Sequence, residues 1–157
     1  MAADDLGGIS KNGSMPWPKN PSDLQWFKKN TMNSVVLMGR LTWVDPFMPS
    51  PLKGRINVLV TTQNKENYLG ADDYISGNII KSFYNLSKKY ENKDIYIIGG
   101  AQILDQLFNL VEEFYLTRIY GDFKCDKKID LKKIQESMQM IERIENDKNS
   151  HFEIWKK

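Results

Sequence analysis

Four short runs of nearly unbroken apolar character punctuate the chain, at 34–38 (Ser-Val-Val-Leu-Met), 56–61 (Ile-Asn-Val-Leu-Val-Thr), 95–98 (Ile-Tyr-Ile-Ile) and 114–119 (Phe-Tyr-Leu-Thr-Arg-Ile). Their length and their β-branched and aromatic content predict strands covered on both faces. Between them, residues 21–30, 82–90 and 101–110 are predicted as helices, with Ser82 as the N-cap of the second, and a short turn of helix follows Arg40. Strands that alternate with helices predict a mostly parallel sheet with helices on both sides. The tail differs: 138–145 and 151–155 flank the polar stretch 146–150 and predict an antiparallel hairpin. The expected fold is therefore α/β and three-layered, with a central mostly parallel mixed sheet of about seven or eight strands closed by a C-terminal antiparallel hairpin. No repeat or linker interrupts the pattern, so residues 1–157 are expected to form a single domain. The loops at 12–21 and 45–54 are long for simple connections, a feature of functional loops.

Composition narrows the chemistry. With 41% hydrophobic and 27% charged residues and a net charge of +2, the chain is of ordinary globular make-up, and its lysine pairs form no compact basic stripe, so no nucleic-acid partner is expected. Cys125 and His151 are the only cysteine and histidine. One of each, far apart, cannot make a disulfide, a Ser-His-Asp triad or a zinc site, and no metal is expected. Asp4 and Asp5 stand where an apolar leader would run, and no stretch approaches the ~20 apolar residues of a membrane span. A cytoplasmic protein with no membrane partner is expected.

Three stretches carry candidate chemistry. In Asn20-Pro21-Ser22-Asp23-Leu24-Gln25-Trp26-Phe27, Asn20 is a good N-cap, Pro21 fits the first helical position and Asp23 falls at the third. A carboxylate there is either a device for helix stability or, beside Phe27 on an apolar face, a poorly solvated group able to hold or relay a proton. Met15 and Trp17, on the preceding loop, are placed to lid such a pocket, whereas Trp26 points to the core. In the second stretch, Gly39-Arg40-Leu41-Thr42-Trp43, a strand runs through glycine into a helix start, which is either a phosphate site or a turn with a solvated charge. The third, Ile98-Gly99-Gly100-Ala101-Gln102, repeats that geometry and is either a close-approach site for a ligand or a tight strand-to-helix turn; it lacks G-x-G-x-x-G.

The order and separations of these pieces are more telling than any one of them. Gly8-Ile9, Lys11-Asn12-Gly13, Met15-Pro16-Trp17, Asp23-Leu24, Trp26-Phe27, Met38-Gly39-Arg40, Thr42-Trp43, Leu52, Gly54-Arg55, Asn57, Ile98-Gly99-Gly100 and Tyr115-Leu116-Thr117-Arg118-Ile119 run over nearly the whole chain. In this set the sequence closely resembles dihydrofolate reductase. The resemblance implies reduction of 7,8-dihydrofolate to 5,6,7,8-tetrahydrofolate: hydride passes from NADPH to C6, and N5 is protonated with help from Asp23.

It further implies that Asp23, with Thr117 beside it, binds the pterin, that Leu24, Phe27 and Leu52 pack on the pterin and aminobenzoyl rings, and that Arg55 pairs with the substrate's glutamate. Ala2, Ile9, Met15 and Ile98 would line the junction between the rings, and the loop from Gly7 to Trp17 would be a mobile lid, making Met15 and Trp17 part of the catalytic apparatus. For the cofactor it implies Gly39, Arg40, Leu41 and Thr42 at the dinucleotide phosphates, and Gly99, Gly100, Ala101, Gln102 and Ile103 at the pyrophosphate. Thr61, Thr62 and Lys81 would lie near the adenosine 2′-phosphate, and Ala3, Ser14, Met15 and Ile9 near the nicotinamide side. Folate analogues are expected ligands, and a monomer is the expected state.

The chain also departs from the family pattern. It begins almost at the alanine corresponding to Ala2, so the first strand is expected to be truncated. Ser10 replaces a usual glycine, the 44–51 loop is unusually rich in proline, Leu104 replaces a usual aromatic residue, and Cys125-Asp126 stands where Gly-Asp is usual, leaving Asp126 to steady the lid. Two alternatives remain: a reductase of the same fold acting on a ribosylated aminopyrimidine in riboflavin synthesis, or a non-catalytic binding or structural protein that retains the fold.

Overall fold

A computed structural model describes residues 1–157. In chain order the elements are β1 (Ala2–Asp4), β2 (Gly8–Ser10), α1 (Pro21–Thr31), β3 (Val35–Gly39), α2 (Arg40–Trp43), β4 (Ile56–Val60), β5 (Asp73–Ile75), α3 (Ile79–Lys89), β6 (Ile95–Gly99), α4 (Ala101–Leu107), β7 (Glu113–Ile119), β8 (Lys127–Lys128), α5 (Leu131–Ser137), β9 (Gln139–Asp147) and β10 (Ser150–Lys156). They fall into two compact units, one built from Met1–Phe27 with Leu110–Lys157 and the other from Lys28–Asn109. The fold is mixed α/β with parallel and antiparallel strands and a C-terminal hairpin, as the apolar pattern predicted.

In the unit made from the two chain ends, the strand order is β1-β7-β10-β9. β1 runs parallel to β7 with Ala2 opposite Thr117, while β10 runs antiparallel to both β7 and β9. The hairpin turns through Lys148 and Asn149, and Asp147 Oδ1 accepts from Asn149 N at 2.8 Å and from Ser150 Oγ at 3.0 Å. A side chain that supplies the turn's own acceptor is the reason a polar run suffices here. The first strand, β1, comprises only three residues at the edge of this sheet.

In the unit formed by the middle of the chain, β5-β4-β3-β6 are parallel throughout. Val35, Val36, Leu37 and Met38 are fully buried at its centre, each contributing about 1.5–3 kcal/mol through apolar burial. The expectation that 95–98 is equally covered is corrected: β6 is an edge strand, half-buried at Ile95, Tyr96, Ile97 and Ile98. Edge position costs it the neighbour that an apolar run alone cannot reveal.

Side-chain caps mark the starts of α1, α3 and α5. Asn20 Oδ1 accepts from Asp23 N at 3.0 Å, as expected. The cap of α3 is a correction, because Asn78 rather than Ser82 accepts from the helix, at Lys81 N, and α3 begins at Ile79. Ser82 lies inside the helix and its hydroxyl donates to Ser76 O. The helix expected over 101–110 ends as α-helix at Leu107, and Phe108–Leu110 tightens into a 3-10 turn.

Candidate functional site

Asp23 sits at the third position of α1, fixed there by the Asn20 cap and by Ser22, whose hydroxyl donates to Asn20 Oδ1 at 2.7 Å. Its Oδ1 accepts from the Thr117 hydroxyl at 2.5 Å. Thr117 is fully buried in the middle of β7, between Ala2 of β1 and Phe152 of β10. One turn further along the same side of α1, Trp26 stacks on Phe152 with ring centroids 4.3 Å apart. The helix therefore commits its indole and its carboxylate to two paired residues of the same sheet, Phe152 and Thr117.

The loop ahead of α1 is ordered by backbone geometry. Lys11 and Ser14 exchange hydrogen bonds of 2.8 and 3.1 Å, a tight turn whose corner, Asn12 and Gly13, has positive φ. Ser10 keeps a negative φ, so the expected glycine is not required there. Asp126 Oδ2 accepts from Asn12 N at 2.9 Å, and β2 pairs with β8, so the contact expected from Asp126 is present. Trp17 is buried with Ile119 and Cys125, its ring edge-on to Phe123 at 5.7 Å, and Met15 and Ala2 pack on that cluster. Ala3 is fully buried, which restricts any ligand contact there to backbone; Ile9 and Ser14 are half-buried.

In the middle unit, Asn57 does work that sequence reasoning missed. From the second position of β4 its Oδ1 accepts from Leu52 N at 2.7 Å, while its Nδ2 donates to Leu52 O and Arg55 O, each at 3.0 Å. One buried amide thus shapes the turn that carries both Leu52 and Arg55. The signal was available, since an asparagine interrupts the apolar run Ile56-Asn57-Val58-Leu59-Val60. Nε and one terminal nitrogen of Arg55 are buried without a hydrogen-bond partner in the protein, and burial lowers the pKa of the guanidinium. Buried donors of this kind call for an outside acceptor, and a carboxylate matches their geometry.

The two glycine turns of this unit meet. A Cβ on Gly99, where φ is +145°, would stand 2.8 Å from Thr42 Oγ1, and one on Gly39 would stand 2.8 Å from Ile103 Cδ1. At Gly99 the positive φ also favours glycine, whereas at Gly39 the obstacle is the terminal methyl of Ile103 alone. Gly39 and Gly100 lead into α2 and α4 without a side-chain cap, and a Cβ on Gly100 would meet nothing closer than 4.0 Å. Open amide ends, the Thr42 hydroxyl and the exposed Arg40 guanidinium are a donor set suited to phosphate, so the residues present fit a dinucleotide. Ile103 is buried and can offer a ligand only backbone; Leu41, Gln102, Thr62 and Lys81 are exposed, Ala101 and Ile98 half-buried. Thr61 Oγ1 accepts from Gln63 N at 3.0 Å at the end of β4.

Comparison with known proteins identifies the family. The family model described as "Dihydrofolate reductase" matches residues 1–156. The chain belongs to the dihydrofolate reductase family. Dihydrofolate reductase type 9 of Escherichia coli is 32% identical over 164 residues, spanning 99% of this chain and 89% of that protein. The dihydrofolate reductase of Buchnera aphidicola subsp. Acyrthosiphon pisum is 34% identical over 152 residues, 92% of this chain and 88% of that protein. That of Sus scrofa is 31% identical over 150 residues, 85% and 80% respectively. As a member of the dihydrofolate reductase family the chain is an oxidoreductase that reduces dihydrofolate with NADPH, as expected from the sequence, and neither the riboflavin-synthesis reading nor the non-catalytic one is favoured. The family binds dihydrofolate and folate analogues. No helix is long and apolar enough to cross a membrane.

Proposed function

We propose that Asp23 is the residue through which this chain binds the pterin and promotes protonation at N5, with Thr117 holding its carboxylate in place. The hydrogen bond between them carries the reading: the acid is fixed by a buried hydroxyl from another element rather than spent on its own helix. Leu24 and Phe27 follow on the same helix and supply apolar surface for the rings, and Ala2, Ile9, Met15 and Ile98 line their junction. Leu52 packs on the aminobenzoyl group, and the buried guanidinium of Arg55 pairs with the glutamate carboxylate. Gly7 to Trp17 acts as the lid, excluding water while the proton moves.

NADPH, when bound, supplies the hydride. Arg40, Thr42 and the backbone around Gly39 and Leu41 hold its phosphates, and Gly99 to Ile103 approach the pyrophosphate through amides. Thr61, Thr62 and Lys81 select the 2′-phosphate; Ala3 and Ser14 act by backbone near the nicotinamide. Residues 1–157 are proposed to work as one functional domain, which the family model matched over residues 1–156 supports. A monomer in the cytoplasm is proposed with them.

NADPH oxidation driven by dihydrofolate tests the assignment, on the native chain and Asp23→Asn in parallel. The variant should lose roughly 10²-fold or more in activity near neutral pH and recover part of it in acid, where solvent delivers the proton. Equal activity of the two across the pH range refutes Asp23's role.

A further inference from the structure

The carboxylate of Asp4 is almost fully buried at 1% exposure, and nothing in the chemistry assigned above uses it. It nevertheless has more hydrogen-bond donors than any other acid in the chain. Oδ1 accepts from Leu6 N at 3.0 Å and Gly8 N at 2.7 Å, at the root of the 7–17 loop. Oδ2 accepts from Phe123 N at 3.1 Å and from the Cys125 thiol at 3.6 Å, in the loop leading to β8. Each oxygen thus serves a different segment, more than a hundred residues apart in sequence. The fit is tight on the remaining side: a Cβ on Gly8 would stand 2.6 Å from Oδ2, 2.5 Å from Cys125 Cβ and 2.6 Å from Cys125 Sγ. Burial alone would favour the neutral acid, but the three amides and the thiol outweigh it and hold the pKa below the usual aspartate value.

Both segments go on to functional groups. Beyond Gly8, the first carries Ile9, Met15 and Trp17; the second carries Phe123, which meets Trp17 edge-on, and Asp126, which accepts from Asn12 N. We infer that Asp4 is a positioning residue for the reductase reaction, a buried clamp whose two oxygens tie the root of the 7–17 loop to the 120–126 segment and so hold Met15 and Trp17 in their working arrangement. The inference rests on the reading of that loop as a lid.

The two-oxygen division gives a selective test. In Asp4→Asn, the amide oxygen still accepts from Leu6 N and Gly8 N, whereas the amide nitrogen presents a donor to the Phe123 N–H. Backbone hydrogen exchange and steady-state kinetics are measured on this variant and the native chain, with thermal melting to establish folding. Expected are faster exchange at residues 8–17 and 120–126 only, a kcat lowered by about 10-fold, and a dihydrofolate KM changed by less than about 2-fold, since the clamp touches no substrate. Unchanged exchange in both segments overturns the clamp and leaves the lid reading standing. Faster exchange with unchanged kcat overturns Asp4's part in the reaction and the lid reading with it. Should Asp4→Asn not fold, Gly8→Ala pushes on the same packing from the other side; Gly8 has no positive φ, so crowding is the only obstacle. Its expected pattern is the same, and intact protection with intact kcat overturns the proposal.

Discussion

The Thr117 hydroxyl donates to Asp23 Oδ1 at 2.5 Å, joining the middle of β7 to the first turn of α1 across 94 residues of sequence. Thr117 is held by strand pairing on both sides, so its hydroxyl is a fixed reference and the carboxylate is the group that conforms to it. Thr117→Val keeps the shape of the side chain and removes only the donor. A hydrogen bond to a charged group is worth about 1.5–3 kcal/mol, so kcat/KM should fall by about 10- to 100-fold, less than the loss in Asp23→Asn if the acid itself remains competent. Steady-state assays of the two variants at one pH decide this, and a larger loss in Thr117→Val would make the threonine the primary group.

The turn at 52–55 depends on Asn57 in the same way. Asn57→Leu preserves volume in the buried strand but leaves Leu52 N without its acceptor, an unsatisfied amide costing about 1–3 kcal/mol. A lower melting temperature should accompany a several-fold higher KM for dihydrofolate, because Arg55 and Leu52 lose their shared support, while NADPH affinity stays near the native value. Titration of NADPH by fluorescence and of dihydrofolate by turnover separates the two effects.

Much of this architecture was legible from pattern. The strands at 34–38 and 56–61 were readable because burial on both faces leaves an unbroken apolar run, and the caps at Asn20 and the hairpin turn were readable because local polar side chains make them. What pattern could not show is anything created by contact at a distance. β1, β2, β5 and β8 are two or three residues long and exist through pairing, not propensity. The displaced cap of α3 went to Asn78 because Ile79 faces the core and draws the helix start forward. At the site, the resemblance pointed to Asp23 and Thr117, which the structure joins by a hydrogen bond, and the spacing of α1 gave the carboxylate its two rival readings; the contacts of Asn57 and Asp4 emerged only once their partners were known. Asp4 in particular looked like part of an ordinary polar start, since neither Phe123 nor Cys125 is near it in sequence.

The glycine pair at the end of β6 and the start of α4 makes a sharper prediction than its motif. At Gly99 a side chain is opposed twice, by a φ of +145° and by Thr42 Oγ1 at 2.8 Å from the position of a Cβ. Gly99→Ala must displace Thr42, one of the groups proposed for the cofactor phosphates. NADPH should bind at least about 10-fold more weakly with a reduced melting temperature, whereas Gly100→Ala, with no neighbour inside 4.0 Å, should disturb packing far less. Isothermal titration of Gly99→Ala and the native chain with NADPH provides the comparison, and equal affinities would show that Thr42 is not pressed by the turn.

Cys125 supplies a prediction in the alkaline range. Burial, and next the negative charge of Asp4, push its thiol up to about 11, whereas an unfolded cysteine ionises near 8.5. A raised pKa in the folded state means that the unfolded chain releases the proton first, so ∂ΔG/∂pH is negative between the two values. The contribution to stability is complete below about pH 8.5 and is lost progressively toward about 11. Lysine and tyrosine titrations overlap this window, but they are common to the native chain and Cys125→Ser. The difference in unfolding free energy between the two, from urea melts at successive pH values, should therefore be constant from pH 6 to about 8 and drift in favour of the serine variant above about 9. A difference that stays flat to pH 11 would place the thiol in a far more polar setting than the side of Asp4.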